Sequence, residues 1–290
     1  MNKITDRFSC ADFTFPLLPH DQALQLIKLL GINAVDLGFF VDRSHLRPEH
    51  VRRNAAGAAR KFAVRLGDIG LTLADVFLQT SAAPHAVPAN HPDRAVRDKT
   101  RELFKLAIEF AHTAGCRHLT GLPGVAHAGV SDVDARALAA DEASWRAAEA
   151  AHVGIVYAIE AHVGSICPSP ETTLEFLQRS QGVTLTLDYG HFIYQGMSNE
   201  STHALLPHAT HFHARAGCKG RLQSALKNNT IDFARILTGL RQARYKGSIC
   251  LEYVWVDWEH CNEVDNISET ILLRDYLRQI ESADEKKSSP

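Results

Sequence analysis

The amino-acid sequence predicts an α/β fold, namely a single (β/α)8 barrel. Short apolar runs with the length of buried strands occur eight times along the 290 residues. They alternate with segments in which apolar residues recur at helical spacing. Eight strand–helix units in a chain of this length match a (β/α)8 barrel. An open doubly wound sheet is the alternative, although neither of its usual phosphate-binding motifs, GxGxxG and GxxxxGK(S/T), occurs.

Each predicted strand is a short, mostly apolar segment bounded by polar or turn-forming residues. Such segments favour extended structure because they are too short for a typical helix. In chain order the predicted strands are FSCADFTF (8–15), NAVDLGF (33–39), LTLADVFL (71–78), CRHLTGL (116–122), GIVYAIE (154–160), VTLTLD (183–188), ATHFHA (209–214) and SICLEYV (248–254).

The segments between these runs have the apolar spacing of amphipathic helices. Start signals stand at SPE (169–171) and TID (230–232), and Gly31, Gly115 and Gly247 follow predicted helix ends. The predicted helical segments span residues 20–30, 48–70, 94–115, 135–152, 169–180, 198–209, 230–247 and 268–282. No linker or compositional break separates them, so one barrel domain is predicted for residues 1–282, followed by a short polar tail at 283–290.

Composition and charge narrow the class of partner. A net charge of −2 with interspersed signs gives no field that would hold a polyanion, so nucleic acid is not an expected partner. No apolar stretch approaches the roughly 18 residues of a membrane-spanning helix, and no signal peptide is recognised. The six cysteines form no CxxC pair, which favours reduced thiols in the cytoplasm. A soluble cytoplasmic protein is expected, and a homo-oligomer is compatible with the sequence.

Polar side chains end four consecutive predicted strands. In a (β/α)8 barrel the carboxyl ends of the strands carry the chemistry. Glu160, Asp188, His213 and Glu252 fall at the last inward positions of strands five to eight. Any one of them could instead cap a helix or pair with an arginine. Strands lie roughly 4.8 Å apart, so the four side chains can converge, and clustered carboxylates repel one another unless a cation joins them.

One divalent metal ion would resolve that repulsion. Three carboxylates and one imidazole suit Mn²⁺, Mg²⁺, Co²⁺ or a carboxylate-rich Zn²⁺ site better than a thiolate site. We therefore predict a single ion held by Glu160, Asp188, His213 and Glu252, with Mn²⁺ as the first choice.

With these residues the chain resembles the sugar phosphate isomerase/epimerase family of xylose-isomerase-like barrels over nearly its whole length. The motifs that carry the resemblance are Glu160 with His162, the Asp188-x-x-His191 step, the HxH of His211 and His213, and Glu252 after an apolar strand. The resemblance implies the same metal quartet and a sugar or sugar derivative as substrate. In related ketose 3-epimerases the first and last glutamates also exchange the substrate proton, which implies catalytic roles for Glu160 and Glu252. Those epimerases carry a further glutamate where Ile166 stands here.

A basic loop after predicted strand seven adds a candidate substrate site. Arg215, Lys219 and Arg221 cluster there around two glycines, where barrels often hold an anionic group. A solvated basic loop is the alternative. Arg215 lies two residues beyond His213 and so on the same side of the pleat. We predict that Arg215 and Lys219 bind substrate.

Two histidines and a tryptophan complete the predicted substrate site. His162 and His191 are placed to donate hydrogen bonds to sugar hydroxyls or to carry protons, or else they lie on the surface. Trp255, with Trp258, would offer a flat apolar face to sugar C–H groups or pack against the last helix. The loop 81–94, with His85 and His91, is in a position suited to a lid, although solvent exposure is the simpler expectation.

These residues predict a metal-dependent sugar isomerase or epimerase that removes a proton next to a carbonyl and passes through an enediolate. The alternative is dehydration of a keto-inositol or β-elimination from a 3-keto sugar or glycoside at the same site. An endonuclease IV-like DNA repair enzyme, acting at abasic DNA, is a remoter possibility. It would need three metal ions and a basic face, whereas strands one to four end nearly free of ligands. A non-catalytic barrel would be expected to lack a member of the quartet.

Overall fold

Eight parallel strands close into a barrel in the order of the chain, with β1 paired to β8. The computed structural model describes residues 3–83 and 86–288, the last four of them as backbone only. The strands are β1 (Phe8–Ala11), β2 (Ala34–Phe40), β3 (Thr72–Gln79), β4 (His118–Gly121), β5 (Val156–Glu160), β6 (Thr184–Asp188), β7 (Ala209–Ala214) and β8 (Ile249–Leu251). The predicted (β/α)8 barrel is confirmed.

Helices surround the barrel. They are α1 (His20–Leu29), α2 (Pro48–Val51), α3 (Ala55–Asp68), α4 (Arg94–Thr113), α5 (Asp132–His152), α6 (Pro170–Arg179), α7 (Tyr189–Tyr194), α8 (Asn199–His203), α9 (Phe233–Gln242) and α10 (Asn266–Ser288). The segment 48–70, predicted as one helix, is two, because the Asn54 side chain caps α3 by accepting from Gly57 N at 2.8 Å. The short α7 was not predicted.

Helix ends differ from the prediction in two places. The last helix runs to Ser288, so most of the predicted polar tail is helical, since Ala, Glu and Lys are good helix formers. After α9 the left-handed residue is Arg244, with φ of 55°, rather than Gly247. Gly247 has another role. A Cβ there would lie 2.0 Å from the carbonyl oxygen of Thr210, so only glycine allows this close approach to β7.

The last helix also ties the chain's two ends together. Glu281 of α10 is buried, and its carboxylate oxygens accept hydrogen bonds from Ile4 N and Thr5 N, each at 2.9 Å. These bonds satisfy backbone donors in the turn before β1, so α10 holds the start of the barrel against its end.

Strand register brings the predicted quartet to one end of the barrel. Asp188 is the register partner of His213, and Glu160 is the partner of Thr186, two residues before Asp188. The strand predicted for 248–254 ends at Leu251, so Glu252 lies one residue beyond it, where its N–H donates to Ala214 O at 3.0 Å.

All six cysteines are free thiols. Among the helices within residues 3–83 and 86–288, none combines the length and apolar character needed to cross a membrane.

Candidate active site

The four predicted ligands meet in a buried cluster at the carboxyl end of the barrel. Glu160, Asp188, His213 and Glu252 each offer one oxygen or nitrogen atom, and these atoms lie within 4.8 Å of one another. All four side chains are buried. The structure therefore brings the quartet together as the strand pattern predicted, while its role in binding metal stays a prediction.

The imidazole of His213 is central to this cluster. Its Nδ1 lies 2.6 Å from Glu160 Oε1 and 3.3 Å from Glu252 Oε2. The guanidinium of Arg215 pairs with Asp188 Oδ2 and lies 3.5 Å from Glu252 Oε2. Three carboxylates thus converge on two nitrogen-bearing side chains.

Burial and mutual repulsion govern the ionisation of the cluster. Burial, together with the Glu252 carboxylate, raises the pKa of Glu160 to about 7. Burial also raises the pKa of Asp188, against the opposing effect of Arg215. Burial alone would lower the pKa of His213, but Glu252 and Glu160 hold it well above its ordinary value. The crowded carboxylates therefore favour a positive charge among them, as the raised pKa of His213 shows.

The donor set fits a divalent cation. Carboxylate and imidazole ligands are those that Mn²⁺, Co²⁺ and Zn²⁺ accept, and Mg²⁺ takes the carboxylates. With His213 neutral, the three carboxylate charges equal the combined charge of one divalent ion and Arg215. In addition, Glu252 Oε2 is buried and accepts no hydrogen bond of good geometry, so it can serve as a ligand. The geometry and the charges both suit one ion at this place.

A second group of potential ligands lies toward the barrel interior and was missed by the sequence analysis. It consists of Asp36, His211, His213 and Cys250, all buried. His211 Nε2 lies 2.5 Å from Asp36 Oδ2, so this first histidine of the HxH motif faces Asp36 and does not join the quartet. His213 Nε2 is 3.7 Å from the same oxygen. The sequence feature that could have revealed this group is Asp36, a carboxylate within the apolar run NAVDLGF (33–39).

His191 lies beside the quartet because the chain turns into α7 directly after β6. Asp188 caps α7 by accepting from Gly190 N at 2.7 Å, and the first turn of the helix carries His191 back over the cluster. His191 Nε2 lies 3.2 Å from the Arg215 guanidinium and 3.5 Å from Asp188 Oδ2. Burial and the Arg215 charge hold the pKa of His191 well below its ordinary value, so its imidazole is neutral.

A cavity of about 520 Å³ opens above the cluster, within the size range of small-molecule sites. Six of the predicted site residues line it: Glu160, His162, His191, Arg215, Glu252 and Trp255. Trp258 lines it as well, and its ring lies 6.2 Å from that of His191.

The rest of the predicted basic loop does not reach the cavity. Lys219 is exposed, and its aliphatic chain lies over Gly196. Arg221 pairs with Glu263 on the surface. Arg215 still points inward because it lies two residues after His213 of β7. The chain leaves the sheet after Ala214, so the alternation of side chains along the strand no longer fixes where Lys219 and Arg221 point.

The loop after β3 contributes little to the cavity in the described part of the chain. His85 lies outside the described residues. His91 packs against His127, with ring centroids 5.7 Å apart, and does not line the cavity. A lid role for this loop stays a prediction.

Comparison with solved structures shows the same fold at low sequence identity. A structure of L-ribulose 3-epimerase gives a TM-score of 0.77 at 17% identity, covering 97% of this chain and 96% of that chain. A xylose isomerase-like TIM barrel protein from Mycobacterium smegmatis, in complex with magnesium, gives 0.71 at 16%, covering 98% and 99%. A probable 3-DHS dehydratase from Bacillus anthracis gives 0.68 at 15%, covering 94% and 98%.

Sequence comparison gives the family. No curated protein matches the sequence significantly. The model of one family, described as xylose isomerase-like TIM barrel, matches residues 24–280. That match covers most of the barrel, from within α1 to within α10. The resemblance inferred from the quartet is therefore confirmed, and the chain belongs to the xylose isomerase-like TIM barrel family.

Proposed function

We propose that this protein is a divalent-metal-dependent enzyme that moves a proton next to a carbonyl group of a sugar or sugar derivative, as a sugar isomerase or epimerase does. The observation that carries the proposal is the buried convergence of Glu160, Asp188, His213 and Glu252 around one point, with Arg215 beside it. Clustering three carboxylates in a dry pocket is costly unless a cation occupies it, and such a site is typical of chemistry rather than of stability.

The quartet would hold the ion, with Mn²⁺ proposed first among Mn²⁺, Mg²⁺, Co²⁺ and Zn²⁺. The chemistry supplied by such an ion, when bound, is Lewis acidity toward a carbonyl and its neighbouring hydroxyl group. A fold neighbour described in complex with magnesium supports this class of cofactor.

Glu160 and Glu252 are the groups proposed to move the proton. Both line the cavity, and each has a different nitrogen-bearing neighbour, since His213 lies beside Glu160 and Arg215 lies near Glu252. One carboxylate removes the proton from the carbon next to the carbonyl. Return of a proton to the opposite face of that carbon gives the epimer, and return to the neighbouring carbon gives the isomer.

Arg215 is proposed to stabilise the negative oxygen that develops during proton removal. Its guanidinium is buried, and it lies among the carboxylates on the cavity floor. A fixed charge in a site that excludes water stabilises a transition state more than the same charge in solvent. His162, His191 and Trp255 are proposed to contact the rest of the substrate.

A second candidate uses the same residues for elimination. After proton removal, loss of a β-hydroxyl group from a keto-inositol, or of the glycosidic oxygen from a 3-keto glycoside, gives an unsaturated product. Such an elimination needs the same base and the same cation, and therefore the same residues of the cavity. The fold is shared with a 3-epimerase and with a probable dehydratase, which supports both candidates equally.

The proposal is tested by metal analysis together with an activity screen. Purified protein is analysed by mass spectrometry for bound metals and then assayed on ketoses, sugar phosphates and keto-inositols, before and after EDTA treatment. We expect about one divalent ion per chain, and activity that EDTA abolishes and Mn²⁺ restores. Three ions per chain with cleavage of abasic DNA would replace the proposal with the endonuclease. A small-molecule substrate and a cytoplasmic location stay predictions from the sequence.

A further inference from the structure

The two ring nitrogens of His213 face different groups. Nδ1 faces the quartet, at 2.6 Å from Glu160 Oε1 and 3.3 Å from Glu252 Oε2. Nε2 faces the barrel interior, where Asp36 Oδ2 lies 3.7 Å away. Nδ1 is therefore the nitrogen that a cation at the quartet would use, and Nε2 is left to interact with the protein.

Asp36 is held beside His213 by the other histidine of the HxH motif. Asp36 belongs to β2 and is fully buried, and its Oδ2 lies 2.5 Å from His211 Nε2. His211 stands two residues before His213 on β7 and so on the same side of the strand. The thiol of Cys250 is the fourth polar group at this place. One carboxylate oxygen thus faces both histidines of the motif.

Polar atoms of both partners are left over in this arrangement. His213 Nε2 and Asp36 Oδ1 are buried, and neither has a hydrogen-bond partner among the described residues. Buried polar atoms without partners cost free energy and are uncommon, so each such pair calls for an explanation. Asp36 therefore retains capacity to interact with His213 beyond its bond to His211.

The chemistry of imidazole supplies that explanation. A neutral imidazole carries one proton, so a ring that offers the lone pair of Nδ1 to a cation must carry its proton on Nε2. A carboxylate next to Nε2 favours this tautomer and fixes the orientation of the ring. In a core that excludes water, such an electrostatic preference is stronger than it would be in solvent.

A second carboxylate–histidine pair in the same barrel offers an internal comparison. Asp75 of β3 is the register partner of Asp36, and its Oδ1 lies 2.6 Å from His118 Nδ1 of β4. Both carboxylates are fully buried. Within residues 3–83 and 86–288, no member of the quartet forms an ion pair or hydrogen bond with Asp75 or His118. Of the two pairs, only that of Asp36 borders a proposed ligand.

Resting on the proposed function, we propose that Asp36 is a positioning residue for His213. It keeps the proton of the imidazole on Nε2 and so leaves Nδ1 free for the cation, while His211 holds the Asp36 carboxylate in place. Neither Asp36 nor His211 lines the cavity, so both act through His213 and not on the substrate.

Metal affinity tests this role against a purely structural one. Asp36→Asn keeps the shape of the side chain and removes its charge, and Asp75→Asn makes the same change in the comparison pair. Mn²⁺ is titrated calorimetrically into each metal-free variant. We expect Asp36→Asn to bind Mn²⁺ about 10- to 100-fold more weakly than the parent, the range typical of a lost outer-sphere partner. Asp75→Asn should stay within about twofold of the parent, since it changes no neighbour of a ligand.

Thermal unfolding of the two variants is the control for general damage. Each change weakens a buried carboxylate–histidine pair, so both variants should unfold at a lower temperature than the parent. Only Asp36→Asn should also lose metal affinity. Equal losses of Mn²⁺ affinity in the two variants, or no loss in Asp36→Asn, would overturn the inference.

A spectroscopic measurement needs no variant of Asp36. In parent protein labelled with ¹⁵N-histidine and loaded with diamagnetic Zn²⁺, long-range ¹H–¹⁵N correlations distinguish the two nitrogens of His213, whose signal is identified by its absence in His213→Gln. We expect Zn²⁺ on Nδ1 and a proton on Nε2. In Zn²⁺-saturated Asp36→Asn the Nε2 proton signal should move upfield, because it loses the carboxylate. Zn²⁺ on Nε2 in the parent would contradict the positioning role.

Failure of the inference and failure of the proposed function give different results. If the parent binds a divalent ion at the quartet and Asp36→Asn binds it equally well, only the role of Asp36 is wrong. If the parent binds no divalent ion, the proposed function itself fails.

Discussion

His213 and Glu160 meet across the mouth of the barrel, with His213 Nδ1 lying 2.6 Å from Glu160 Oε1. The two residues belong to β7 and β5, which are not adjacent strands, since β6 lies between them. The contact is possible because both side chains point inward at the same height of the barrel. The imidazole thus lies between Glu160 and Glu252. The position of His213 therefore depends on β5, on β7 and on the segment that follows β8.

The quartet predicts the effect of removing a single ligand charge. Asp188→Asn and Glu252→Gln should each weaken Mn²⁺ binding by more than the roughly 10- to 100-fold typical of changes in outer-sphere partners, and should abolish turnover. Each change removes a charge that the cation needs. Metal content by mass spectrometry and a Mn²⁺ titration measure the loss, and thermal unfolding checks the fold. Asp257→Asn, at an exposed carboxylate after β8, is the control. Full metal occupancy and normal activity in either quartet variant would falsify the metal site.

Substitutions of Arg215 and Lys219 should differ strongly in their effect on kcat/KM, because Arg215 is buried and Lys219 is exposed. Arg215→Ala should lower kcat/KM by about 30- to 1000-fold, or roughly 2–4 kcal/mol, since it removes a charge-assisted hydrogen bond in a dry site. Arg215→Lys should recover little, because a point charge does not replace a forked donor. Lys219→Ala should stay within about twofold of the parent.

Metal content decides how the Arg215 result is interpreted. Arg215 is not one of the proposed ligands, so occupancy in Arg215→Ala should equal that of the parent. A parallel loss of metal and activity would mean that the change acts through its ion pair with Asp188, and the substrate role would have no support.

The hydrogen bonds from Ile4 and Thr5, in the turn before β1, to Glu281 predict a pH-dependent contribution to stability. Burial alone would raise the pKa of Glu281, but the hydrogen bonds from Thr5 and Ile4 hold it below its ordinary value of 4.5. This carboxylate therefore stabilises the fold fully above its unfolded-state pKa, and the contribution is lost as the pH falls through the lower folded-state pKa. Glu281→Gln should cost about 1–2 kcal/mol of unfolding free energy at neutral pH.

Urea denaturation at neutral and acidic pH measures this dependence. The difference between Glu281→Gln and the parent should shrink as the pH falls below the ordinary pKa of glutamate. Glu175→Gln, at an exposed helix position, should show neither effect. A difference that grows toward acidic pH would contradict the assigned hydrogen bonds.

Two glycines offer opposite predictions for the same substitution. Gly247→Ala should destabilise the protein by about 1–3 kcal/mol, because the new Cβ would lie 2.0 Å from Thr210 O and force the backbone apart. Gly67→Ala, within α3 and with nothing within 4 Å of the new Cβ, should be neutral or stabilising by up to about 1 kcal/mol. Thermal unfolding of the two variants measures the sign of each change in stability. Equal changes would show that the conformational propensity of glycine, and not the space around it, governs both.

The sequence by itself determined the barrel and the composition of the quartet. Both follow from local rules: eight apolar runs alternate with helical segments, and side chains alternate across a strand with a period of two. That parity places Glu160, Asp188 and His213 inward at strand ends, whatever the rest of the molecule does. The resemblance of the ordered motifs to one family added the expected chemistry.

Only the tertiary structure decided what surrounds the quartet. Strand parity favoured Arg215, which lies two residues after His213, but parity does not extend past the end of a strand, so only the structure shows that Lys219 is exposed. Asp36 was overlooked because its partner His211 is 175 residues away in the chain. The hydrogen bond from Arg43 to Gln79 likewise depends on how the loop after β2 packs against the end of β3. Contacts of this kind follow from the closure of the barrel, which brings distant segments to one rim and is not encoded in any local pattern.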